Sequence, residues 1–383
     1  MPLKLTISQG LVQSNTAIIF TVLKIAVLAS GGVDSSVVLK LLQEQGHDVT
    51  AFYLKIWLED ELSFLGECPW EEDLAYLRQI CAAGHIPLEI INLQKEYHEQ
   101  VVAYALAEIR AGRTPNSDLL CNSKVKFGRF YEVIGDRFDA VATGHYADKT
   151  VIGDLHFLTR AKDSWKDQTY FLAHLEQRQL QRAIFPLGPY LKSEVRELAA
   201  RFDLPNKNRR DSQGICFLGQ IKYNDFVRYH LGEKPGELRN IDTGEQVGTH
   251  KGYWFYTIGQ RKGIELSGGP WFVVEKDITN NIVYISNSYR SPDKIRDCFL
   301  VENLHWISGE PSASQLDSLE VKVRHGEKLY PAQLTLMDNN LARVTIQGSD
   351  QGFAAGQFAV FYSGKYCLGC ATIVREIVQI DAQ

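Results

Sequence analysis

From Leu23 onward the chain alternates short, wholly apolar runs with stretches whose apolar positions recur at helical spacing. LKIAVLA (23–29), VTAFYLKIW (49–57), PLEIIN (87–92) and FDAVAT (138–143) are brief and bounded by turns, the signature of strands buried on both faces of a parallel sheet. Between them, 33–46 places Val37, Val38, Leu41 and Leu42 on one face and stops at Gly46. Segments 71–83, 94–111 and 123–135 read as further helices. Such alternation predicts a doubly wound α/β domain. Past about residue 215 the texture changes. Helical pattern persists to about 231, then turn pairs such as Thr243-Gly244, Gly268-Gly269 and Asn280-Asn281 separate short β-rich runs: WFVVEKD, NIVYISN, LEVKVRH, PAQLTLMD, LARVTIQG and FAVFYSG. These predict one or two small β-domains, sandwich or barrel.

Composition sharpens this picture only in places. The 383 residues imply two or three domains, and 45% hydrophobic with 23% charged residues is a globular composition. Seven cysteines (68, 81, 121, 216, 298, 367 and 370) form no close-spaced framework, so a reducing, cytoplasmic setting is expected, where a thiol that matters is catalytic or metal-binding. No run spans a membrane: TAIIFTVLKIAVLA is interrupted by Lys24, and residues 1–20 read as an extension. The net charge of −5 argues against a general nucleic-acid binder, but residues 178–240 carry 12 Lys and Arg against 7 Asp and Glu. A basic zone on an acidic protein is either a polyanion footprint or a solvated helix face.

The strongest local chemistry is Ser30-Gly31-Gly32-Val33-Asp34-Ser35-Ser36, between a predicted strand and a predicted helix. Backbone N–H groups of a glycine-rich turn at a helix N-terminus cradle anions, glycine permits close approach, and serine hydroxyls add donors. The loop lacks the GK[ST] ending of a Walker A motif. SGGxDS in this setting resembles the pyrophosphate-binding loop of PP-loop ATPases, which implies cleavage of ATP between the α and β phosphates.

Two cysteines stand in polar surroundings. Cys121 lies in NSDLLCNSKVKFG (116–128), beside Asn122 and Ser123, which would cap a helix running to about Ile134. A thiol at a helix N-terminus near Lys124 and Lys126 is expected to have raised thiolate content, with Asp118 as proton partner. Cys216 lies in DSQGICF (211–217), directly after Lys207-Asn208-Arg209-Arg210. Two separated reactive thiols on an adenylating enzyme suggest sulfur transfer, one carrying a persulfide that the other resolves. Cys367 and Cys370 form a lone CxxC, which reads as packing.

TPNSDLLCNSKVKFG, ATGHYA (142–147), KDQTYFL (166–172) and SQGICFLG (212–219), in this order after the loop, resemble the tRNA-specific 2-thiouridylase family from about residue 24 to near the end. The resemblance implies an extension (1–20), an N-terminal PP-loop domain (21–213), a small central β-rich domain (214–287) and a C-terminal β-barrel (288–383). It implies ATP-dependent replacement of the wobble-uridine C2 oxygen by sulfur. Leu28, Ala29, Ser30, Gly31, Gly32, Val33, Asp34 and Ser35, with Leu54 and Gly144, would hold ATP. Cys121 would be the nucleophile and Cys216 the persulfide carrier. Asn116, Ser117 and Asp118 would touch the target base, and His145, Lys166, Asp167, Gln168, Arg324, His325 and Gln357 would contact tRNA. Mg2+ would accompany ATP, and an upstream sulfur-donor protein would load Cys216.

The chain departs from the family at Ser117, where proline is usual; losing its fixed φ predicts a looser base loop. Three alternatives stand: a PP-loop ligase acting on a small molecule, a non-catalytic tRNA-binding protein, and, within the main reading, an iron–sulfur cluster on Asp118, Cys121 and Cys216.

Overall fold

The computed structural model describes residues 21–56, 70–211, 222–288, 294–338, 340–350 and 352–380. The N-terminal domain holds β1 (Lys24–Leu28), β2 (Asp48–Lys55), β3 (Leu88–Asn92), β4 (Ala140–Thr143), a hairpin of β5 (Asp148–Ile152) and β6 (Leu155–Thr159), and β7 (Ala183–Ile184). Five of these form a parallel sheet in the order β3-β2-β1-β4-β7. β1 is buried on both faces. Ile25 and Val27 belong to one apolar cluster, with Val37, Val38 and Leu41 of α1 (Val33–Glu44) and Leu74 and Leu77 of α2 (Trp70–Gly84). Ala26 and Leu28 belong to the other, with residues of the helical runs α3 (94–110) and α4 (117–134). Continuous apolar character in β1 is what two covered faces require. The order reverses between β1 and β4, so a crevice opens at their carboxyl ends, where ligands of such sheets bind.

After α5 (Gln177–Arg182) and α6 (Lys192–Arg201), α7 (Tyr223–Leu231) leads into the central domain. This domain is a four-stranded sheet of β8 (Gly236–Asn240), β9 (Gln246–His250), β10 (Phe272–Asp277) and β11 (Ile282–Ser286), in the order β10-β11-β8-β9. The C-terminal domain contains β12 (Lys294–Trp306), β13 (Leu319–Lys322), β14 (Tyr330–Leu336), β15 (Leu341–Ile346), β16 (Phe358–Ser363) and β17 (Tyr366–Ile380). Its order β12-β15-β14-β13-β16-β17, with β17 pairing back to β12, closes a six-stranded barrel. Phe299, Val301, Val344 and Phe361 are among the side chains of its core. The β5–β6 hairpin extends the barrel sheet by pairing Leu158 and Thr159 with Cys367 and Tyr366 of β17, so the first and last domains share backbone hydrogen bonds. Cys367 and Cys370 lie buried in the cluster beneath this junction, and burial pushes both thiols up.

One expectation about a helix start fails. α4 begins at Ser117, not at Ser123: Asn116 is the capping residue, its side chain accepting from the Leu119 N–H at 3.3 Å. Asn122 and Ser123 lie inside the helix and bond elsewhere, Asn122 to the Phe171 carbonyl at 3.0 Å and Ser123 to that of Leu119 at 3.1 Å.

Candidate active site

The loop after β1 is held open by its own hydroxyls. Ser35 Oγ accepts from the Ser30 N–H at 3.2 Å and donates to the Gly32 carbonyl at 3.1 Å; Ser36 Oγ donates to the same carbonyl at 2.8 Å. Gly31 has φ of +74°, and a Cβ there would run into the Asp73 backbone. Gly32 caps α1 without a side chain, leaving the first-turn amides for an external acceptor. From β4, Gly144 comes so close that an added Cβ would lie 3.0 Å from the Ser35 nitrogen. Leu54, at the carboxyl end of β2, packs on the adjoining cluster. The loop (28–35), Leu54 and Gly144 therefore converge on one edge, at the reversal of strand order.

Cations absent from the sequence-derived list surround this loop. Lys192 Nζ lies 2.6 Å from Asp34 and 2.8 Å from Asp211, and Tyr146 donates to Asp34 at 3.1 Å. Asp211 also receives Lys166 at 2.8 Å and Arg196 at 2.5 Å. Partial burial would raise the Asp211 carboxyl, but its hydrogen bonds to Lys166 and Lys192 outweigh this and hold it at about 2. Asn206 donates to the Gly31 carbonyl at 2.7 Å, and Arg209 pairs with Asp73 and Glu72 beside it. Lys192, Arg196, Asn206 and Arg209 all come from the 178–240 stretch, so its charge excess was the signal that could have found the cations.

A cavity of about 370 Å³ lies where the three domains meet. The start of α4 supplies Asn116, Ser117 and Asp118. Tyr170 and Phe171 form an aromatic wall, α7 adds Tyr223 and Phe226, and the barrel adds His325 and Gln357. Gln357 Nε2 donates to the carbonyls of Thr114 and Pro115 at 3.1 and 2.9 Å, bracing the turn before α4. The His325 ring lies 4.6 Å from that of Phe171, and burial lowers its pKa. Ser117 occupies the first position of the helix, a site that favours proline. The Asn116 cap and the Gln357 brace hold the turn that a proline ring would otherwise stiffen.

Cys121 lies one turn beyond Asp118 and is 0% exposed, in the apolar cluster that also holds Leu28, Phe52, Val125 and Phe226. The expectation of a thiol in polar surroundings at a helix N-terminus is corrected on both counts. The residues that follow it are polar, but the cluster it is buried in is apolar, and the helix begins four residues earlier. It opens a π-type stretch, Cys121–Arg129, a widened helical geometry that recurs at functional sites. Lys126 points to the Asn122 side chain at 3.1 Å. Cys216 falls in 212–221, outside the described residues.

The residues expected to contact tRNA divide. Asn116, Ser117, Asp118, His325 and Gln357 gather at the cavity. Lys166 is instead tied to Asp211 beside the loop, and Gln168 accepts from the Tyr146 N–H at 2.9 Å. The His145 ring packs near Phe127 and Phe185, its Nδ1 is 2.9 Å from Thr143 Oγ1, and burial pushes its pKa well below the usual value. Arg324 is exposed and ion-paired with Asp350. The Asp167 side chain is wholly buried against Lys322 of the barrel, so it faces the domain junction rather than the surface.

Residues 23–220 match a family model described as a tRNA methyl transferase HUP domain, 224–287 its PRC-barrel domain, and 296–373 an aminomethyltransferase β-barrel domain. The chain is 44% identical over 357 residues to the tRNA-specific 2-thiouridylase MnmA 1 of Bacteroides thetaiotaomicron, covering 92% of this chain and all of that one. It is 46% identical over 353 residues to MnmA 2 of Bacteroides fragilis, covering 91% and 99%, and 43% identical over 358 residues to MnmA of Parabacteroides distasonis, covering 92% and 99%. With these matches spanning the loop, the cavity and the barrel alike, the chain belongs to the tRNA-specific 2-thiouridylase family.

Proposed function

We propose that this protein uses ATP to replace the C2 oxygen of a tRNA uridine, the wobble uridine, with sulfur. The observation that carries this reading is the three-domain cavity, where Asp118 lies one helical turn from Cys121 at the edge of the sheet that bears the anion loop. ATP is a substrate here. The first-turn amides of α1, the two glycine approaches and the cations Lys192 and Arg209 suit a polyphosphate. Among the described residues no three His, Cys, Asp or Glu side chains gather as a metal site. Mg2+ would therefore ride chiefly on the phosphates, neutralising their charge.

A base must leave its stack for its C2 edge to reach both ATP and a thiol, and the aromatic wall of Tyr170 and Phe171 offers a face for it. The C2 oxygen attacks the α phosphorus, and pyrophosphate leaves with the electrons of the broken P–O bond. Asp118 takes the uridine N3 proton. The terminal sulfur of a Cys216 persulfide, loaded by an upstream sulfur-donor protein, attacks C2 and expels AMP. Cys121 then attacks the Cys216 sulfur. The C2=S group is released, N3 regains its proton from Asp118, and a Cys121–Cys216 disulfide remains for a thiol reductant to reopen.

A tRNA substrate points to the cytoplasm, and among the described residues no helix is long and apolar enough to cross a membrane. Pyrophosphate release measured with and without tRNA tests the reading. Release that depends on tRNA is expected. Equal release without tRNA would point to a small-molecule ligase, and no release with either would point to a tRNA-binding protein without catalysis.

A further inference from the structure

Within the described N-terminal domain, the segment Lys166–Phe171 touches each part of the proposed site. Lys166 reaches Asp211 beside the anion loop at 2.8 Å. Gln168 clasps Tyr146, accepting from its N–H and donating its own backbone N–H to its carbonyl, and Tyr146 in turn bonds Asp34 in the loop. Tyr170 donates to the Phe358 carbonyl in the barrel at 3.0 Å and stands 3.4 Å from Asn116 Nδ2 at the cavity. Phe171 forms the cavity wall, with His325 against it and its carbonyl bonded by Asn122.

One ionic contact fastens this segment to the barrel. Asp167 Oδ2 lies 3.3 Å from Lys322 Nζ in β13, both side chains 0% exposed, with Arg160 at 3.8 Å from the same oxygen. Thr169 Oγ1 lies 3.0 and 2.9 Å from the two Asp167 oxygens and 3.1 Å from the Tyr362 hydroxyl in β16. The Ala161 N–H donates to Asp167 Oδ1 at 3.2 Å, completing the cage.

A fully buried lysine–carboxylate pair is a poor device for stability alone. Desolvating two ions offsets most of their attraction, and well-packed apolar side chains of similar volume often do as well or better. What such a pair supplies is a single register, because any other docking leaves a charge stranded in the interior.

We infer that Asp167 and Lys322 are positioning residues: their buried pair fixes the barrel against Lys166–Phe171, so that the cavity wall and the anion loop are held in one relative geometry. The inference rests on the thiolation reading. Both side chains are wholly buried, so the role argued for them is one of position. tRNA engaging the barrel face at His325 and Gln357 thereby sets Tyr170 and Phe171 against the base while Gln168 and Tyr146 hold Asp34.

The test is the double variant Asp167→Asn with Lys322→Met, which nearly keeps volume and removes both charges of the wholly buried pair, leaving only the partly exposed Arg160 without its carboxylate. Steady-state thiolation of tRNA and equilibrium binding of ATP are measured beside the unaltered protein at matched thermal stability. The expected result is kcat/KM for tRNA reduced roughly tenfold or more, as for other misplaced groups remote from the chemistry, with ATP affinity within about twofold. Wild-type kcat/KM for tRNA in the double variant overturns the inference. So does an equal loss of ATP affinity, which would signal general damage. A double variant that cannot fold overturns it too, by making the pair a determinant of folding rather than of position. If the unaltered protein fails to thiolate tRNA, the thiolation reading falls instead.

Discussion

At the scale of single residues, Cys121 changes most between sequence and structure. Asn122, Ser123, Lys124 and Lys126 make it look solvated, yet it is wholly buried in an apolar cluster that also holds Leu28, Phe52, Val125 and Phe226. Enclosure decides which substitution is informative. Serine would put a hydroxyl into an apolar cluster, at roughly 1–3 kcal/mol if unpaired, and confuse loss of chemistry with loss of fold. Alanine removes only the sulfur and should cost about 1 kcal/mol, comparable to deleting a methyl group. Cys121→Ala is accordingly expected to melt within a few degrees of the unaltered protein and to bind ATP normally, yet to yield no thiolated product. A variant that keeps turning over would remove Cys121 from the reaction. Asp118 and Cys121 were legible as candidates from their own neighbourhood in the chain. The burial of Cys121 and of Asp167 was not, because residues more than a hundred positions away contribute to it: Phe226 shares the cluster of the first, and Lys322 lies against the second.

At the scale of elements, the parallel sheet and its flanking helices follow closely from apolar runs and helical spacing, since β1 is covered on both faces and leaves no ambiguity of period. The barrel was harder to read. Its longest strands, β12 and β17, pair with three register shifts between them, and β12 carries Arg296, Asp297 and Glu302 within its run. A bulged strand loses the strict alternation by which strands are recognised. The β5–β6 hairpin was missed for a related reason. It leaves Val151, Ile152 and Leu155 exposed and is stabilised by joining β17 rather than by an apolar face of its own. The start of α4 was misplaced because Asn116 and Asn122 are equally good caps by type; the Gln357 brace, 241 residues after Asn116, accompanies the first. The close approach of β4 to the loop gives a prediction at this scale. In Gly144→Ala the added Cβ would press on Ser35 at 3.0 Å, and the turn and α1 must shift together. The expected outcome is an ATP Kd raised roughly tenfold or more, read by calorimetry, since the loop's amides must keep their aim to cradle phosphate. Unchanged affinity would place the nucleotide elsewhere.

At the scale of the whole molecule, the site is assembled rather than contained. Asn116 to Asp118, Tyr223 and Phe226, and His325 and Gln357 come from three domains, and the 370 Å³ cavity exists only where these meet. Local patterns name the domains but not their docking, which is set by the shared β6–β17 pairing, the Gln357 brace and the Asp167–Lys322 pair. Docking also explains why expected RNA contacts divided, some facing the cavity and others serving as internal struts. The reading proposed above is that this assembled site places sulfur on a tRNA uridine. Its most direct test is mass spectrometry of tRNA nucleosides from cells lacking the protein, with and without the gene restored. The account predicts that 2-thiouridine nucleosides disappear from the tRNA and return with the intact chain but not with Cys121→Ala. Unchanged 2-thiouridine in the cells lacking it would contradict the account.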